Sequence, residues 1–232
     1  MKLQTLAVLN AERAARRPAI VVTDTANGEQ RLVKAKDFAA DPLRTELTRQ
    51  LRTGKSGTIE AEGRKLFLNV YAPTAKLVIV GAVHISQALA PLARSLDYDV
   101  TVVDPRTAFA SPERFPDVPL IAEWPDVALP PLNIDHYTAF VALTHDPKID
   151  DPALLHAFER DCFYIGALGS RKTHAKRAER LKAQGAQESD IARIHAPIGL
   201  SIGAVSPSEI AVSIMAEITA QLRLPKEKEA KA

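Results

Sequence analysis

Three short runs bring together glycines, histidines and cations: Gly81-Ala82-Val83-His84, Thr144-His145-Asp146-Pro147, and Gly166-Ala167-Leu168-Gly169-Ser170-Arg171-Lys172. The third is best suited to hold an anion. Gly166 and Gly169 let backbone approach a ligand closely. Ser170 can cap a following helix, whose first amides are unpaired and carry partial positive charge. Arg171 and Lys172 add formal charge, and two cations in a first helical turn oppose the helix dipole unless an anion sits there. A strand-to-helix turn with a solvated basic face is the plainer alternative. His84, His145 and Asp146 could join in a polar or metal-binding cluster if folding brings them together; each histidine can equally be a hydrogen-bonded loop residue. Asp146, Asp150 and Asp151 read as caps of turns. Cys162, the one cysteine, is a small buried hydrophobe or a thiol for sulfur or metal. Glu209 lies three residues after Ser206 and is either a capping-box partner or a base. No paired acid and base of the hydrolase kind stands out.

The elements that must position these residues are visible in the hydrophobic pattern. Residues 77–80 are apolar and end at Gly81. Ile85, Ala88, Leu89, Leu92, Ala93 and Leu96 follow at helical spacing, and residues 100–103 form a second apolar run ending in Asp104. This is a βαβ unit with strands buried on both faces, as in a parallel sheet. A dinucleotide-binding turn would read G-x-G-x-x-G with an acid about 20 residues on. Here Gly81 supplies the first glycine, but Val83 and Ser86 stand at the second and third. A β-branched residue at the second position keeps pyrophosphate away, so NAD(P) binding in the usual pose is not expected. Asp104 is placed as a ribose-binding acid or as a strand-end residue without a ligand. Further strands are expected at 120–122, 137–143 and 163–165, in sheet order 3-2-1-4-5 counted from residue 77. A loop is expected over 124–133 and a helix from Asp151-Pro152 to about Arg160. Gly199 lies in a glycine- and proline-bearing irregular stretch, and a helix starts at Ser206-Pro207.

Upstream, a helix over 3–17, strands at 19–23 and 30–33 around Asn27-Gly28, a helix from Asp41-Pro42 to 53, and a hairpin of 57–60 with 65–71 make a small unit. The reading is an α/β protein. A small N-terminal α+β domain (1–72) precedes a Rossmann-like parallel sheet with helices on both faces (73–224), and a disordered tail (225–232) follows. Composition narrows the class of function. Of 232 residues, 46% are hydrophobic and the net charge is +2, which favours neither nucleic acid nor a membrane surface. Aromatics at 5% are too sparse for a base-stacking platform. One cysteine excludes an internal disulfide. With no secretory leader and no apolar run of about 18 residues, a cytoplasmic protein without a membrane span is expected.

Several motifs together resemble one family. Residues 164–173 (YIGALGSRKT), 196–203 (APIGLSIG) and 206–217 (SPSEIAVSIMAE), with VIVGAVHISQALA and VTVVDPR upstream and SGTIE at 56–60, look like the XdhC/CoxI family. Its members are accessory proteins of xanthine dehydrogenase and related molybdenum hydroxylases, CO dehydrogenase among them. Where the family's turn reads Gly-Ala-Gly-His, Gly81 and His84 match and Val83 departs. The resemblance covers about residues 50–224. It implies a chaperone without turnover of its own that binds molybdenum cofactor, as molybdopterin or its cytosine dinucleotide. It also implies support of cofactor sulfuration with a cysteine desulfurase-type sulfur donor, delivery to an apo molybdenum hydroxylase, and a homodimer. The implied cofactor-binding set is Gly81, His84, Asp104, Arg106, His145, Asp146, Gly166, Gly169, Ser170, Arg171, Lys172, Gly199 and Glu209, with Cys162 the candidate for metal contact. The alternatives are an NAD(P)-dependent oxidoreductase and a ligand-free bridging module.

Overall fold

A computed structural model describes residues 2–225; the tail expected to be disordered lies outside them from residue 226 onward. The chain divides into two compact units. One runs from Thr74 to Leu222; the other comprises the residues up to Pro73 and the chain from Arg223.

The smaller unit contains α1 (Leu3–Ala14), β1 (Ala19–Asp24), β2 (Gln30–Lys34), a 3-10 stretch (Ala35–Ala40), α2 (Arg44–Thr53), β3 (Gly57–Ala61) and β4 (Arg64–Tyr71). Its antiparallel sheet has the order β2-β1-β4-β3. Strand alternation sends Ile20, Val22, Leu66 and Leu68 to one face with Leu47 of α2, and Ala19 and Val21 to the other with Leu9 of α1. The β3–β4 turn holds Glu62 and Gly63 at positive φ, the twist a tight hairpin needs. Helix α2 starts at Arg44 rather than at the expected Pro42. The Asp41 carboxylate accepts the Leu43 amide and pairs with Arg31, so it closes a turn ahead of the helix instead of capping it.

The larger unit is a six-stranded sheet of β5 (Lys76–Val80), β6 (Asp99–Val103), β7 (Leu120–Ile121), β8 (Thr138–Ala142), β9 (Tyr164–Ala167) and β10 (Ile194–His195). All its pairings are parallel, in the order β10-β9-β8-β5-β6-β7. The expected order of five strands is present, and β10 extends it beyond β9. Helices α3 (His84–Ser95) and α8 (Pro207–Arg223) cover the face formed by Leu77, Ile79, Ala139 and Val141. Helices α4 (Pro125–Ala128), α5 (Pro147–Phe158), α6 (Arg171–Ala183) and α7 (Glu188–Ile191) belong to the opposite side, where Val78, Val80, Phe140 and Ala142 point.

Three local expectations need correction. The stretch 124–133 is not plain loop: it forms α4 and a 3-10 turn at Pro130–Leu132. Helix α5 begins at Pro147, not at Pro152. Asp146 caps it by accepting the Lys148 amide, and Pro147 takes the first position, where a missing N–H costs nothing. Asp150 and Asp151 therefore lie buried inside the helix and do not start it. Strand β9 runs on to Ala167, so Gly166 belongs to the sheet rather than to the loop. A Cβ at Gly166 would lie 2.5 Å from Ile198 Cδ1 and 2.8 Å from the Tyr164 ring.

Candidate functional site

The turn after β5 would be the nucleotide turn of a dinucleotide-binding sheet, and here the amides and carbonyls of Gly81 and Ala82 are already paired. Gly81, at φ +117, donates its N–H to the Val103 carbonyl at 2.7 Å. A Cβ at Gly81 would lie 2.9 Å from Thr144 Cγ2, so this glycine permits close approach of two sheet-edge loops. Asp104 is 0% exposed. Its Oδ2 accepts the Ala82 N–H at 2.7 Å and Arg106 Nη2 at 2.7 Å; its Oδ1 accepts the Arg106 amide and Nε, both at 2.9 Å. Burial pushes the Asp104 carboxyl up, but the Arg106 guanidinium and the two amides outweigh it and hold the group below the ordinary carboxylate range. Ser86, where the third glycine would stand, donates its hydroxyl to the Gly81 carbonyl. Arg114 donates to the Ala82 carbonyl at 2.8 Å and to Gln87 Oε1 at 2.9 Å. His84 is the exposed first residue of α3.

The loops after β8 and β9 build a different kind of site. Asp150, 1% exposed, reaches back from α5 to the loop after β8. Its Oδ1 accepts the Thr144 hydroxyl at 2.6 Å and the Thr144 amide at 3.2 Å, and its Oδ2 accepts the His145 amide at 3.0 Å. That grip holds His145 at φ +64. Burial pushes the Asp150 carboxyl above its usual range against these hydrogen bonds. Asp151 clasps α5 to α6 through a two-pronged pair with Arg180, Nε to Oδ2 at 2.6 Å and Nη2 to Oδ1 at 3.0 Å.

After β9, Gly169 sits at φ +129 with Thr173 about to touch any Cβ placed there, at 3.0 Å. Ser170 caps α6 by accepting the Thr173 amide, as expected. Thr173, Arg177 and Leu181 then share the inward stripe of α6. Arg177 is 2% exposed. Its Nη2 donates to the Leu168 carbonyl at 2.7 Å and stands 3.8 Å from Asp150 Oδ2. Its Nε and Nη1 are buried with no hydrogen-bond partner among the described residues. Burial pulls the guanidinium below its ordinary value, against the attraction of Asp150 and Asp151. Arg177 lines an open cavity of about 180 Å³ whose other walls include His145, Asp150, Lys172, Thr173, Lys176 and Arg180.

The sheet edge thus gathers some of the expected residues and separates others. Gly169, Ser170, Lys172 and His145 converge around the α6 start. Asp146 caps α5 at the same edge. Arg171 opens α6 but is not among the cavity walls. Gly81, Asp104 and Arg106 form the self-paired turn after β5. Gly199 and Glu209 serve other structures. Gly199, at φ +89, donates its N–H to Glu217 Oε2 at 2.8 Å, and a Cβ there would strike Ser213 Oγ at 2.4 Å. Glu209 accepts the Val205 and Ser206 amides at 2.9 and 2.8 Å, while its own amide meets Ser206 Oγ at 3.3 Å, which is a capping box. Cys162 is buried, and burial pushes its thiol up to about 12, so it stays protonated and poorly suited to metal. Among the described residues no cluster of His, Cys, Asp or Glu can hold a metal ion. Sequence reasoning missed Thr173, Lys176, Arg177 and Arg180. The available signal was an arginine four residues before Leu181, on the stripe that must face the sheet. It also missed Glu217, whose carboxylate takes the Tyr164 hydroxyl at 2.6 Å, the Gly199 amide, and His195 Nδ1 at 3.0 Å.

Fold and site together define a Rossmann-like domain that has closed its usual nucleotide turn and carries its positive charge further along the sheet edge. The chain belongs to the XdhC family: the family model of the XdhC Rossmann domain matches residues 77–218. It is 34% identical over 154 residues to a probable xanthine dehydrogenase component of Bacillus subtilis (strain 168), covering 66% of this chain and 44% of that protein. It is 32% identical over 159 residues to the molybdenum cofactor insertion chaperone PaoD of Escherichia coli (strain K12), covering 68% and 43%. It is 34% identical over 155 residues to YqeB of the same E. coli strain, described as uncharacterized, covering 66% and 28%. The chain spans less than half the length of these curated relatives. A solved structure described as a xanthine dehydrogenase from Bacillus halodurans shares the fold, with a TM-score of 0.66 and 24% identity over 97% of this chain and 65% of that one.

Proposed function

We propose that this chain binds molybdenum cofactor as cargo and assists its insertion into an apo molybdenum hydroxylase of the xanthine dehydrogenase type. Membership of the XdhC family is the observation that carries the reading, and the basic sheet edge supports it. The cofactor is a pterin bearing a phosphate or a nucleotide diphosphate. The cations Lys172, Lys176, Arg177 and Arg180 fit such an anion, and Gly169 and Ser170 open the helix that faces it. The donor set does not fit direct ligation of molybdenum, because Cys162 is buried and held protonated. On this reading the sulfur for cofactor sulfuration comes from a separate donor, a cysteine desulfurase, and this chain shelters the cofactor while it is modified. No helix among the described residues is long and apolar enough to cross a membrane; a cytoplasmic location is part of the proposed reading. A homodimer belongs to the same reading. The NAD(P) alternative is disfavoured because the Ala82 amide is committed to Asp104.

The test is anaerobic purification from a host that makes molybdenum cofactor, with assay of bound pterin and molybdenum, then transfer to an apo hydroxylase. Near-stoichiometric pterin and recovery of hydroxylase activity are expected. An absence of pterin, with the hydroxylase still dependent on the protein, would replace this reading with that of a bridging module.

A further inference from the structure

We infer that the cavity walled by Arg177 is a seat for a phosphate or pyrophosphate group. The inference rests on the cofactor reading for its biological source but not for its chemistry. An arginine side chain 2% exposed needs acceptors for its protons, because a buried polar N–H left unpaired is costly. Among the described residues Arg177 has one acceptor, the Leu168 carbonyl, and Nε and Nη1 have none.

Asp150 is the nearest carboxylate, yet it cannot close the gap. Its oxygens already accept the Thr144 hydroxyl and the Thr144 and His145 amides, and at 3.8 Å its Oδ2 is an ion-pair partner of Arg177 beyond hydrogen-bond reach. Asp151 is bound in two-pronged fashion to Arg180. Four cations, Lys172, Lys176, Arg177 and Arg180, therefore face two carboxylates that are already engaged.

The first turn of α6 adds amides without intrahelical partners and the positive end of the helix dipole. An anion with several oxygens answers every part of this arrangement. It gives the Arg177 guanidinium an anionic partner, neutralises the surplus charge, and gives Lys172 a reason to stand in a first helical turn. Size narrows the choice. The cavity of about 180 Å³ is well under the roughly 300–1,000 Å³ of a site that swallows a drug-sized ligand. It takes a phosphate or pyrophosphate, while the organic part of the same molecule would lie outside along the sheet edge.

The experiment is calorimetric titration of the full chain with inorganic phosphate and with pyrophosphate, at fixed ionic strength. Saturable one-site binding is expected, with Lys172→Ala and Lys176→Ala each weakening it by about tenfold or more, the loss typical of a hydrogen bond to a charged group. Lys182→Ala, on the same helix but paired with Glu188, should leave it unchanged. Arg177→Gln should abolish it; because that substitution also disturbs a buried site, the two lysines carry the decision. No saturable binding, or equal weakening by Lys182→Ala, would overturn the inference. Two further results separate it from the cofactor reading. Pterin retained equally by wild-type and Lys176→Ala protein would remove the cavity as the cofactor's seat and leave insertion standing. Phosphate binding lost in the lysine variants, with no pterin on the wild type, would keep the site for free phosphate and remove the cofactor.

Discussion

Replacing Asp104 by alanine separates two roles this carboxylate could have, a clamp on the β5 turn or a ligand for ribose. The clamp can be given a magnitude. Asp104 is fully buried and accepts the Ala82 amide and three donors of Arg106. Alanine leaves the Ala82 N–H, in a residue 0% exposed, with no acceptor, at a cost of about 1–3 kcal/mol. The Arg106 side chain is 31% exposed, so water can replace its partner and that part costs at most about 1 kcal/mol. Together the loss is about 1–4 kcal/mol, against the roughly 5–15 kcal/mol that holds a domain folded. The chain's one tryptophan, Trp124, lies in this unit and is 49% exposed, so its emission in urea reports on this unit's unfolding. With a slope of about 2 kcal/mol per molar, the midpoint should fall by about 0.5–2 M. The pH dependence has a definite sign. The folded Asp104 carboxyl is held below its unfolded value, so the folded state binds fewer protons. The stabilisation is present at neutral pH and is lost as pH falls below about 4, the ordinary aspartate range. Wild-type and Asp104→Asn curves should therefore converge in acid. An Asp104→Ala midpoint unchanged at neutral pH would refute the clamp and return Asp104 to the ribose role.

Val83→Gly restores a fingerprint glycine but not a free amide at Ala82; NAD(P)H fluorescence titration should show no binding, and a micromolar Kd would reverse the reading of this turn. Gly166→Ala drives a Cβ into Ile198 and the Tyr164 ring and should destabilise the unit by about 1–3 kcal/mol; a loss under about 0.5 kcal/mol would mean that this contact yields freely. Cys162, buried with its thiol pushed up to about 12, should resist Ellman's reagent until urea unfolds the chain. Rapid labelling of the native protein would reopen a sulfur-handling role.

The larger unit was legible because its strands are continuous apolar runs, and a parallel sheet buried on both faces admits little else. Residues 77–80 and 100–103 could hardly be placed otherwise, and the crossover rule then orders the sheet. What escaped depends on competition between equally good local signals. Asp146-Pro147 and Asp151-Pro152 both read as helix starts. The first won because Asp150 can then reach the amides of Thr144 and His145, a contact across the loop that no local pattern reveals. Strand β10 is two residues long, Ile194–His195, and exists because it pairs with β9 rather than through propensity. Around α6 the sequence displays its charges but not their direction. Arg171 and Arg177 look alike in RKTHAKRAERLKA; only packing shows that one opens the helix at the surface while the other points inward at Asp150.

The position of the positive charge follows from the closure of the β5 turn. In a dinucleotide-binding sheet the first turn offers unpaired amides to pyrophosphate, and the acid at the end of the second strand waits for ribose. Here the same acid bends back onto that turn. Asp104 gives the Ala82 amide a buried negative partner, Arg106 balances the charge, and Ser86 satisfies the Gly81 carbonyl. A second anion would meet the paired Ala82 amide and the Asp104 carboxylate, and the β-branched Val83 side chain adds to that obstacle. The loops after β8 and β9 show the opposite balance: Asp150 spends its oxygens on loop amides and leaves Arg177 short of acceptors. On the proposed reading, an anionic ligand at this sheet edge is directed toward α6 by what each loop has left unpaired.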